Sequence, residues 1–267
     1  MTKAIFITGG GSGIGRATAV HFAAQGWRVG LGDIDEAGMA ATLALLPGDG
    51  HSSHRLDVRD SAAWQAVLLD FASGPDGSID VVMNNAGIAW GGALMELSEA
   101  EIDQIIAVNL KGVINGARAA HPYLRTAGPG ACLLNTASAA ALYGTGGMAA
   151  YSATKFAVRA LTEALDTEWL GDGIKVRSLM PSFIDTPLLA GPANGRTNQT
   201  KRDTVVAAGL PFTPVEAVAQ AAWVAVHGDR LHTPVGPTAR KMALAAKWAP
   251  GLLRRRAKKL MEARLGR

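Results

Sequence analysis

The octapeptide TGGGSGIG, residues 8–15, lies directly between a short apolar run, residues 3–8 (KAIFIT), and a helical pattern over residues 14–25. Glycines in such a loop let the backbone approach a pyrophosphate closely, and the unpaired N–H groups and positive dipole end of the following helix then face that anion. We therefore predict a loop that binds the phosphates of a dinucleotide, with an ordinary strand-to-helix turn as the alternative. The residues predicted to contact the coenzyme here are Gly9, Ser12, Gly13, Ile14 and Gly15.

The rest of the chain alternates short apolar runs with helical patterns. Apolar runs occupy residues 28–33, 53–57, 79–85, 131–138 and 174–180, and helical patterns lie near residues 36–46, 61–72, 99–124 and 150–170. This alternation is typical of repeated βαβ units, whose strands form a mostly parallel sheet covered on both faces. The sequence predicts an α/β fold with a doubly wound parallel sheet, and we expect residues 1–267 to form a single domain because no linker interrupts the pattern.

Composition excludes several classes of protein. The chain has 267 residues, 48% of them hydrophobic, and a single cysteine, Cys132. One cysteine forms neither an intrachain disulfide nor a multi-thiolate metal site, and we expect no metal site. No apolar run approaches the ~18 residues that a membrane-spanning helix needs, and the first thirty residues do not resemble a signal sequence, so we expect a cytoplasmic protein.

Positive charge is concentrated at the end of the chain. The net charge is +4, yet residues 240–267 hold ten Lys or Arg and one acidic residue, which leaves 16 basic and 21 acidic residues, a net charge of −5, in residues 1–239. That mildly acidic body has no basic recognition helix or zinc spacing, so we expect no nucleic-acid partner and favour a small-molecule site.

Asp33 bears on the choice of dinucleotide. It stands twenty residues after Gly13, at the end of the second apolar run. A carboxylate there can accept hydrogen bonds from the adenosine ribose hydroxyls and would repel the 2′-phosphate of NADP, which favours NAD(H). NADP(H) stays open, because Arg16 could offset the repulsion if Asp33 turned away, and Asp33 could also be an ordinary strand-end acid.

Tyr151 and Lys155 lie four residues apart in YSATK, within a helical pattern, and so share one helix face. A free tyrosine has a pKa near ~10, so at neutral pH only about one in a thousand is ionised, equivalent to roughly 4 kcal/mol. We expect the ammonium of Lys155 to lower the pKa of Tyr151 and make it a general base or acid. Ser138, at the end of the run 131–138, could bind a carbonyl oxygen. The simpler alternatives are a half-buried tyrosine beside a solvated lysine, and a serine that caps a helix.

Together, TGGGSGIG, NNAG (residues 84–87), Asn109, Ser138 and YSATK resemble the motif set of the short-chain dehydrogenase/reductase family, over nearly the whole chain. The resemblance implies a Rossmann-type fold, a nicotinamide coenzyme and a Ser-Tyr-Lys mechanism, with Asn109 helping to hold a water that relays protons from Lys155. It also implies a homodimer or homotetramer.

The same resemblance implies further coenzyme contacts. Asp57 and Val58 would contact adenine, and Ile184 and Thr186 would contact the carboxamide. Lys155 would bond the nicotinamide ribose, and Tyr151 would also contact the coenzyme. The other implied coenzyme residues are Asn85, Ala86 and Gly87, beside the adenosine ribose, and Pro181. Ser182 stands where the family commonly has glycine, and we expect it to narrow or polarise the substrate side.

Two later segments have distinct compositions. Residues 185–212, rich in Gly, Pro, Thr and Asn, are too long for an ordinary connection and are predicted to form a substrate lid. The lid ends at Thr213, which is predicted to cap a helix that runs to about His227. Residues 240–267 are predicted to form a basic helical tail, split at Pro250 and Gly251. This tail is either a solvated surface helix or a weak attachment to an anionic membrane surface or partner.

Apolar residues in and near the lid indicate a hydrophobic or bulky substrate, unless they mainly pack against each other. They are Trp90, Leu142, Tyr143, Met148, Leu188, Leu189, Val205, Val206, Leu210 and Phe212. We predict an oxidoreductase that transfers a hydride between a nicotinamide coenzyme and a secondary alcohol or ketone. The alternatives are a reductase of 3-oxoacyl thioesters on acyl carrier protein and, outside catalysis, a dinucleotide-binding sensor or scaffold.

Overall fold

The computed structural model describes residues 2–74, 77–191 and 199–264, and within those ranges seven parallel strands form one sheet. The strands are β1 (Ala4–Thr8), β2 (Arg28–Asp33), β3 (Ser52–Arg55), β4 (Val81–Asn84), β5 (Cys132–Thr136), β6 (Lys175–Pro181) and β7 (His232–Val235). Their order is β3-β2-β1-β4-β5-β6-β7, so the direction of winding reverses between β1 and β4. The carboxyl ends of β1 and β4 therefore flank the crevice where open parallel sheets bind their ligands.

Helices cover both faces of this sheet. They are α1 (Gly13–Ala24), α2 (Glu36–Leu43), α3 (Ser61–Ala72), α4 (Glu99–Ile106), α5 (Gly112–Ala127), α6 (Ala149–Glu168), α7 (Pro187–Ala190), α8 (Lys201–Ala207), α9 (Val215–His227), α10 (Pro237–Trp248) and α11 (Pro250–Arg264). Side chains alternate between the faces of each strand, so Ile5 and Ile7 of β1 pack with Phe22 of α1, whereas Phe6 packs with Trp64 of α3. The predicted doubly wound parallel sheet with helices on both faces is confirmed.

Two predictions about individual elements need correction, and one strand was not predicted. The helical pattern over 99–124 is interrupted by π-helical residues Ala107–Lys111 between α4 and α5. Strand β7 was not expected, because it is short and contains a proline. Thr213 does not cap α9: Pro214 occupies the N-cap, while the Thr213 amide donates to the Phe183 carbonyl, which joins the lid's end to the segment after β6.

The predicted lid contains α7 and α8, and its residues 192–198 lie outside the described residues, as do residues 265–267 of the predicted tail. An ion pair between Arg202 and Asp185, 2.9 Å from Nη2 to Oδ2, ties α8 to the segment after β6. The Arg202 guanidinium also lies over the Phe212 ring, 5.2 Å from its centroid. Within the described ranges, no helix is long and apolar enough to span a bilayer.

Candidate active site

The glycine loop between β1 and α1 does not accommodate larger residues at Gly9, Gly13 and Gly15. Gly9 and Gly13 both have positive φ, +68° and +50°, which favours glycine. A Cβ on Gly15 would collide with the Gly9 carbonyl oxygen, and one on Gly13 would lie 3.1 Å from Thr186 Cγ2. Ser12 stands at the N-cap of α1 without a side-chain capping bond, so the first-turn amides of α1 can face a bound anion.

Asp33 lies at the edge of this loop. Its Oδ2 accepts a hydrogen bond from the Gly11 amide at 2.9 Å, and its Oδ1 accepts one from the Asp35 amide at 3.1 Å. Arg16 is engaged elsewhere, because its guanidinium donates to the Gly11 and Gly38 carbonyls and to Thr42 Oγ1. The carboxylate is thus held next to the loop, and Arg16 ties the loop to α2.

Asp57 lies beside Asp33 at the carboxyl ends of β2 and β3, where the Leu56 amide donates to the Asp33 carbonyl at 2.9 Å. The Asp57 carboxylate forms an ion pair with Arg59, and this guanidinium holds the pKa of Asp57 below its ordinary value. Val58 is buried, and a Cβ on Gly112 would lie 2.7 Å from its side chain. The structure therefore brings Asp33 and Asp57 to one edge, with Val58 packed under α5.

A network centred on Thr8 fixes the NNAG turn at the point where the winding reverses. Thr8 Oγ1 accepts hydrogen bonds from the Asn85 and Ala86 amides, at 3.0 and 3.1 Å, and Asn85 Nδ2 donates to the Thr8 carbonyl at 2.9 Å. Thr136 Oγ1 donates to Asn85 Oδ1 at 3.2 Å, which extends the network to β5. Thr8 and Thr136 were not predicted from sequence, where each reads as an ordinary strand residue.

Asn109 and Lys155 meet beside Gly87. Asn109, in the π-helical segment, accepts at Oδ1 from the Ile88 amide and donates from Nδ2 to the Ile88 carbonyl, at 2.9 and 2.8 Å. A Cβ on Gly87 would lie 3.3 Å from Asn109 Oδ1 and 3.7 Å from Lys155 Nζ. Lys155 Nζ donates to the Thr136 carbonyl at 2.8 Å. These bonds and close approaches place the NNAG turn, the π-helical segment and α6 next to one another.

Ser138 and Tyr151 complete this cluster. Ser138 follows β5 and accepts at Oγ from the Ala140 amide at 3.1 Å, so it caps the short turn Ala139–Ala141. Its side chain also lies close enough to Tyr151 to favour a lower pKa of that phenol. Lys155 Nζ lies 5.7 Å from the centroid of the Tyr151 ring, one helical turn away on α6. The structure thus brings together all four residues predicted to be catalytic.

The predicted direction of the Tyr151 pKa shift is wrong. Burial raises the pKa of Tyr151, and the nearby Ser138 side chain opposes that effect without overcoming it. Burial also lowers the pKa of Lys155 to about 8, since only 4% of its surface is exposed. Desolvation penalises both the phenolate and the ammonium, and it outweighs the expected help from a neighbouring cation. A phenol with a raised pKa stays protonated at neutral pH, which suits it to donate a proton.

The segment after β6 reaches both the glycine loop and β7. Ile184 is buried and forms a parallel bridge with Thr213, while Thr186 lies against Gly13. Pro181 ends β6, and Ser182 Oγ donates to the Val235 carbonyl of β7 at 3.2 Å. Ser182 therefore joins β6 to β7, and its expected effect on the substrate side stays a prediction.

Only some of the apolar residues predicted in and near the lid are buried. Val205 is buried, whereas Val206 is 55% exposed and faces solvent, which corrects its expected role. Leu142, Tyr143 and Met148 are half-buried in the loop between Ser138 and Tyr151. Among the described residues, no group of three or more His, Cys, Asp or Glu side chains is arranged to hold a metal ion.

The chain is similar to known proteins in sequence. A family model described as short chain dehydrogenase matches residues 3–195. The probable oxidoreductase EphD of Mycobacterium tuberculosis (strain ATCC 25618 / H37Rv) is 36% identical over 188 residues, 70% of this chain but only 32% of that protein. The chain therefore spans about a third of the length of that relative. The meso-2,3-butanediol dehydrogenase of Serratia marcescens is 35% identical over 225 residues, 84% of this chain and 87% of that protein.

Solved structures agree with the fold. The crystal structure of levodione reductase superimposes with a TM-score of 0.80 at 27% identity, covering 89% of this chain and 98% of that chain. A short chain dehydrogenase/reductase from Burkholderia phymatum in complex with NAD gives a TM-score of 0.79 at 28% identity, covering 91% and 92%.

Proposed function

Because the chain belongs to the short-chain dehydrogenase family, we propose that it is an oxidoreductase that transfers a hydride between a nicotinamide dinucleotide and a secondary alcohol or ketone. The observation that carries this proposal is a half-buried phenol, Tyr151, which lies next to Ser138 and one helical turn from the buried ammonium of Lys155. Lys155 donates to the Thr136 carbonyl, the Thr136 hydroxyl donates to Asn85, and Asn85 donates to the carbonyl of Thr8 at the start of the glycine loop. These hydrogen bonds connect the residues around Tyr151 to that loop.

The glycine loop fits a dinucleotide. Gly9, Gly13 and Gly15 have no space for a Cβ or adopt a positive φ, and the amides at the start of α1 lie at the same edge. Other residues proposed to hold the coenzyme are Ser12, Ile14, Asp57, Val58, Asn85, Ala86, Gly87, Pro181, Ile184 and Thr186. When bound, the nicotinamide would supply or accept the hydride.

We propose NAD(H) as the preferred coenzyme. The Asp33 carboxylate is held against the loop by the Gly11 and Asp35 amides, where it would repel a 2′-phosphate. Arg16 donates to carbonyl and hydroxyl oxygens in this region, which limits its capacity to offset that repulsion. Steady-state kinetics with NADH and NADPH in parallel test this preference, and a lower KM for NADPH would contradict it.

The protein's own groups would move the proton. Ser138 would bind the substrate oxygen, and Tyr151 would donate its phenolic proton to that oxygen during ketone reduction, or accept it back during alcohol oxidation. Lys155 would hold a positive charge beside the phenol and stabilise the phenolate left by proton donation. Asn109 would keep the turn at Ile88 in position through its two backbone hydrogen bonds. We propose that it also helps to hold a water that relays protons from Lys155.

We propose a hydrophobic or bulky secondary alcohol or ketone as substrate. Support comes from half-buried apolar side chains near Tyr151 and from relatives named for butanediol and levodione. The test is a panel of secondary alcohols, cyclic and aryl ketones and 3-oxoacyl thioesters, assayed with both coenzymes. A wild-type protein that binds dinucleotide and converts none of them would favour the sensor or scaffold alternative, and preference for the thioesters would favour the acyl reductase.

We also propose a homodimer or homotetramer. A groove of about 440 Å³ lies between α5 and α6, lined by Ile114, Ala117, Leu161, Leu165 and Trp169 with polar residues around them. Its apolar floor suits a second copy that would place the same two helices against it. Light scattering after size-exclusion chromatography tests this, and a monomer at micromolar concentration would contradict it.

We propose that the C-terminal tail makes weak contact with an anionic membrane surface. Leu244, Trp248 and Leu252 are exposed near the junction of α10 and α11, among basic residues, which suits weak contact with an anionic membrane surface. Liposome flotation that is unchanged in the Trp248→Ala/Leu252→Ala variant would contradict this contact. We further propose a cytoplasmic location, which cell fractionation tests.

A further inference from the structure

The loop between Ser138 and Tyr151 connects two residues of the candidate site, and hydrogen bonds hold it at Thr145 and Gly147. The Thr145 amide donates to Ser152 Oγ at 3.3 Å, next to Tyr151 on α6. The Gly92 amide donates to the Gly147 carbonyl at 2.9 Å. Gly146 lies between Thr145 and Gly147. A side chain that covers Gly146 is therefore also close to the N-terminal end of α6, where Tyr151 lies.

The C-terminal helices pack over this loop. Helix α10 contacts the turn Ala139–Ala141, immediately after Ser138, and α11 packs against α10. A Cβ on Gly146 would lie 2.5 Å from Met261 Cε of α11. The C-terminal helices therefore lie against the loop that connects Ser138 to Tyr151.

Helix α11 has two distinct faces. Leu253, Ala257 and Met261, spaced four residues apart, are partly buried. The side chains of the opposite face are exposed and mostly basic: Arg254, Arg255, Arg256, Lys258 and Lys259. An amphipathic helix with its apolar face inward and its basic face in solvent is docked on the protein through that apolar face.

We propose that α11 forms a wall of the substrate site and that Met261 determines the size of the alcohol or ketone admitted. This inference rests on the proposed function. A methionine side chain has three rotatable bonds and fills irregular space, so it can limit a pocket without closing it. Shortening Met261 would make room for a larger substrate beside Gly146, and a rigid aromatic ring there would remove room.

The first test compares a bulky ketone, 2-decalone, with cyclohexanone. We expect Met261→Ala to raise the ratio of kcat/KM for 2-decalone over that for cyclohexanone at least threefold, and Met261→Trp to lower it by a similar factor. Lys258→Ala, on the exposed face of the same helix, is the matched control and should leave the ratio unchanged. A ratio that stays at the wild-type value in both Met261 variants would overturn the proposal.

A double-mutant cycle tests the contact itself. Gly146 has no positive φ, and its hypothetical Cβ meets the flexible end of Met261, so Gly146→Ala should fold and displace that side chain. We expect Gly146→Ala to change the ratio in the wild-type background and to have no effect in the Met261→Ala background. Gly144→Ala, where a Cβ meets open space, is the control. Equal effects in both backgrounds would overturn the proposal.

A third measurement tests the placement of α11 without using activity, and together with the activity assays it separates the two proposals. Gly146→Cys/Met261→Cys should be joined within the chain by a short bismaleimide, and Gly171→Cys/Met261→Cys, with one cysteine beyond the far end of α6, should not. Cys132 does not interfere, because it is buried and burial raises its pKa to about 12. Failure of the first pair to crosslink would overturn the placement of α11. Successful crosslinking in a protein that converts no alcohol or ketone would overturn the proposed function, and with it the assignment of Met261.

Discussion

Raising the pH from 7 to 9 should reduce the rate of ketone reduction about tenfold. Burial lowers the pKa of Lys155 to about 8. The charged form would be about 90% populated at pH 7 and about 10% at pH 9, from the titration of a single group. Burial raises the pKa of Tyr151, so the phenol keeps its proton over the same range. The activity that depends on the ammonium is thus nearly complete at pH 7, halved near pH 8 and mostly lost at pH 9. The assay is kcat/KM for the best ketone at saturating coenzyme, measured from pH 6 to pH 10.

Lys155→Arg is the matched variant for that profile, since arginine stays charged over the whole range. We expect it to lower activity at pH 7 through poorer fit and to remove the alkaline decline. Protein stability should change in the opposite direction to activity. The depressed pKa of Lys155 means that the folded protein binds fewer protons than the unfolded chain between about pH 8 and 10.5, so this group adds stability as pH rises through that window. A reduction rate that is flat to pH 10, or an alkaline decline that persists in Lys155→Arg, would refute the reasoning.

Three further predictions concern the coenzyme loop and the lid. Gly15→Ala has no room for its methyl group and should weaken coenzyme binding at least tenfold by calorimetry, whereas Gly171→Ala, in open space, should bind normally. Asp33→Ser keeps an oxygen near the loop but removes the negative charge. The ratio of KM for NADPH to KM for NADH should therefore fall about tenfold, equivalent to roughly 1.4 kcal/mol. An unchanged ratio would argue against selection of NADH by the charge of Asp33. Arg202→Gln breaks a half-exposed ion pair with Asp185, so the free energy of unfolding should change by less than about 1 kcal/mol. The KM for substrate should rise about threefold, because this pair ties α8 of the lid to the segment after β6. An unchanged KM would mean that the ion pair does not position the lid.

Sequence patterns predicted the elements whose local signals agree with the fold. The run KAIFIT followed by TGGGSGIG specifies a buried strand, a tight loop and a helix start, and the structure has β1 and α1 in those places. The four-residue spacing of Tyr151 and Lys155 likewise places both on one face of α6. In each case the evidence lies within one short stretch of chain.

What the sequence did not predict depends on contacts between distant segments. Strand β7 is a four-residue edge strand with a proline, and its position is set by pairing with β6. The role of Thr8 follows from the amides of Asn85 and Ala86, which lie 77 and 78 residues away in the chain. The sign of the Tyr151 pKa shift depends on burial by the whole fold, which spacing along a helix does not reveal.

The central claim is that Tyr151 transfers the proton, and the most direct measurement is turnover by Tyr151→Phe alongside its coenzyme affinity. The substitution removes only the hydroxyl, so the coenzyme Kd should stay within about twofold of the wild-type value by calorimetry. Single-turnover reduction should fall by a factor of roughly 10² to 10⁴, the usual contribution of a positioned general acid. A Tyr151→Phe protein that binds coenzyme and reduces ketone at a near-wild-type rate would contradict the account.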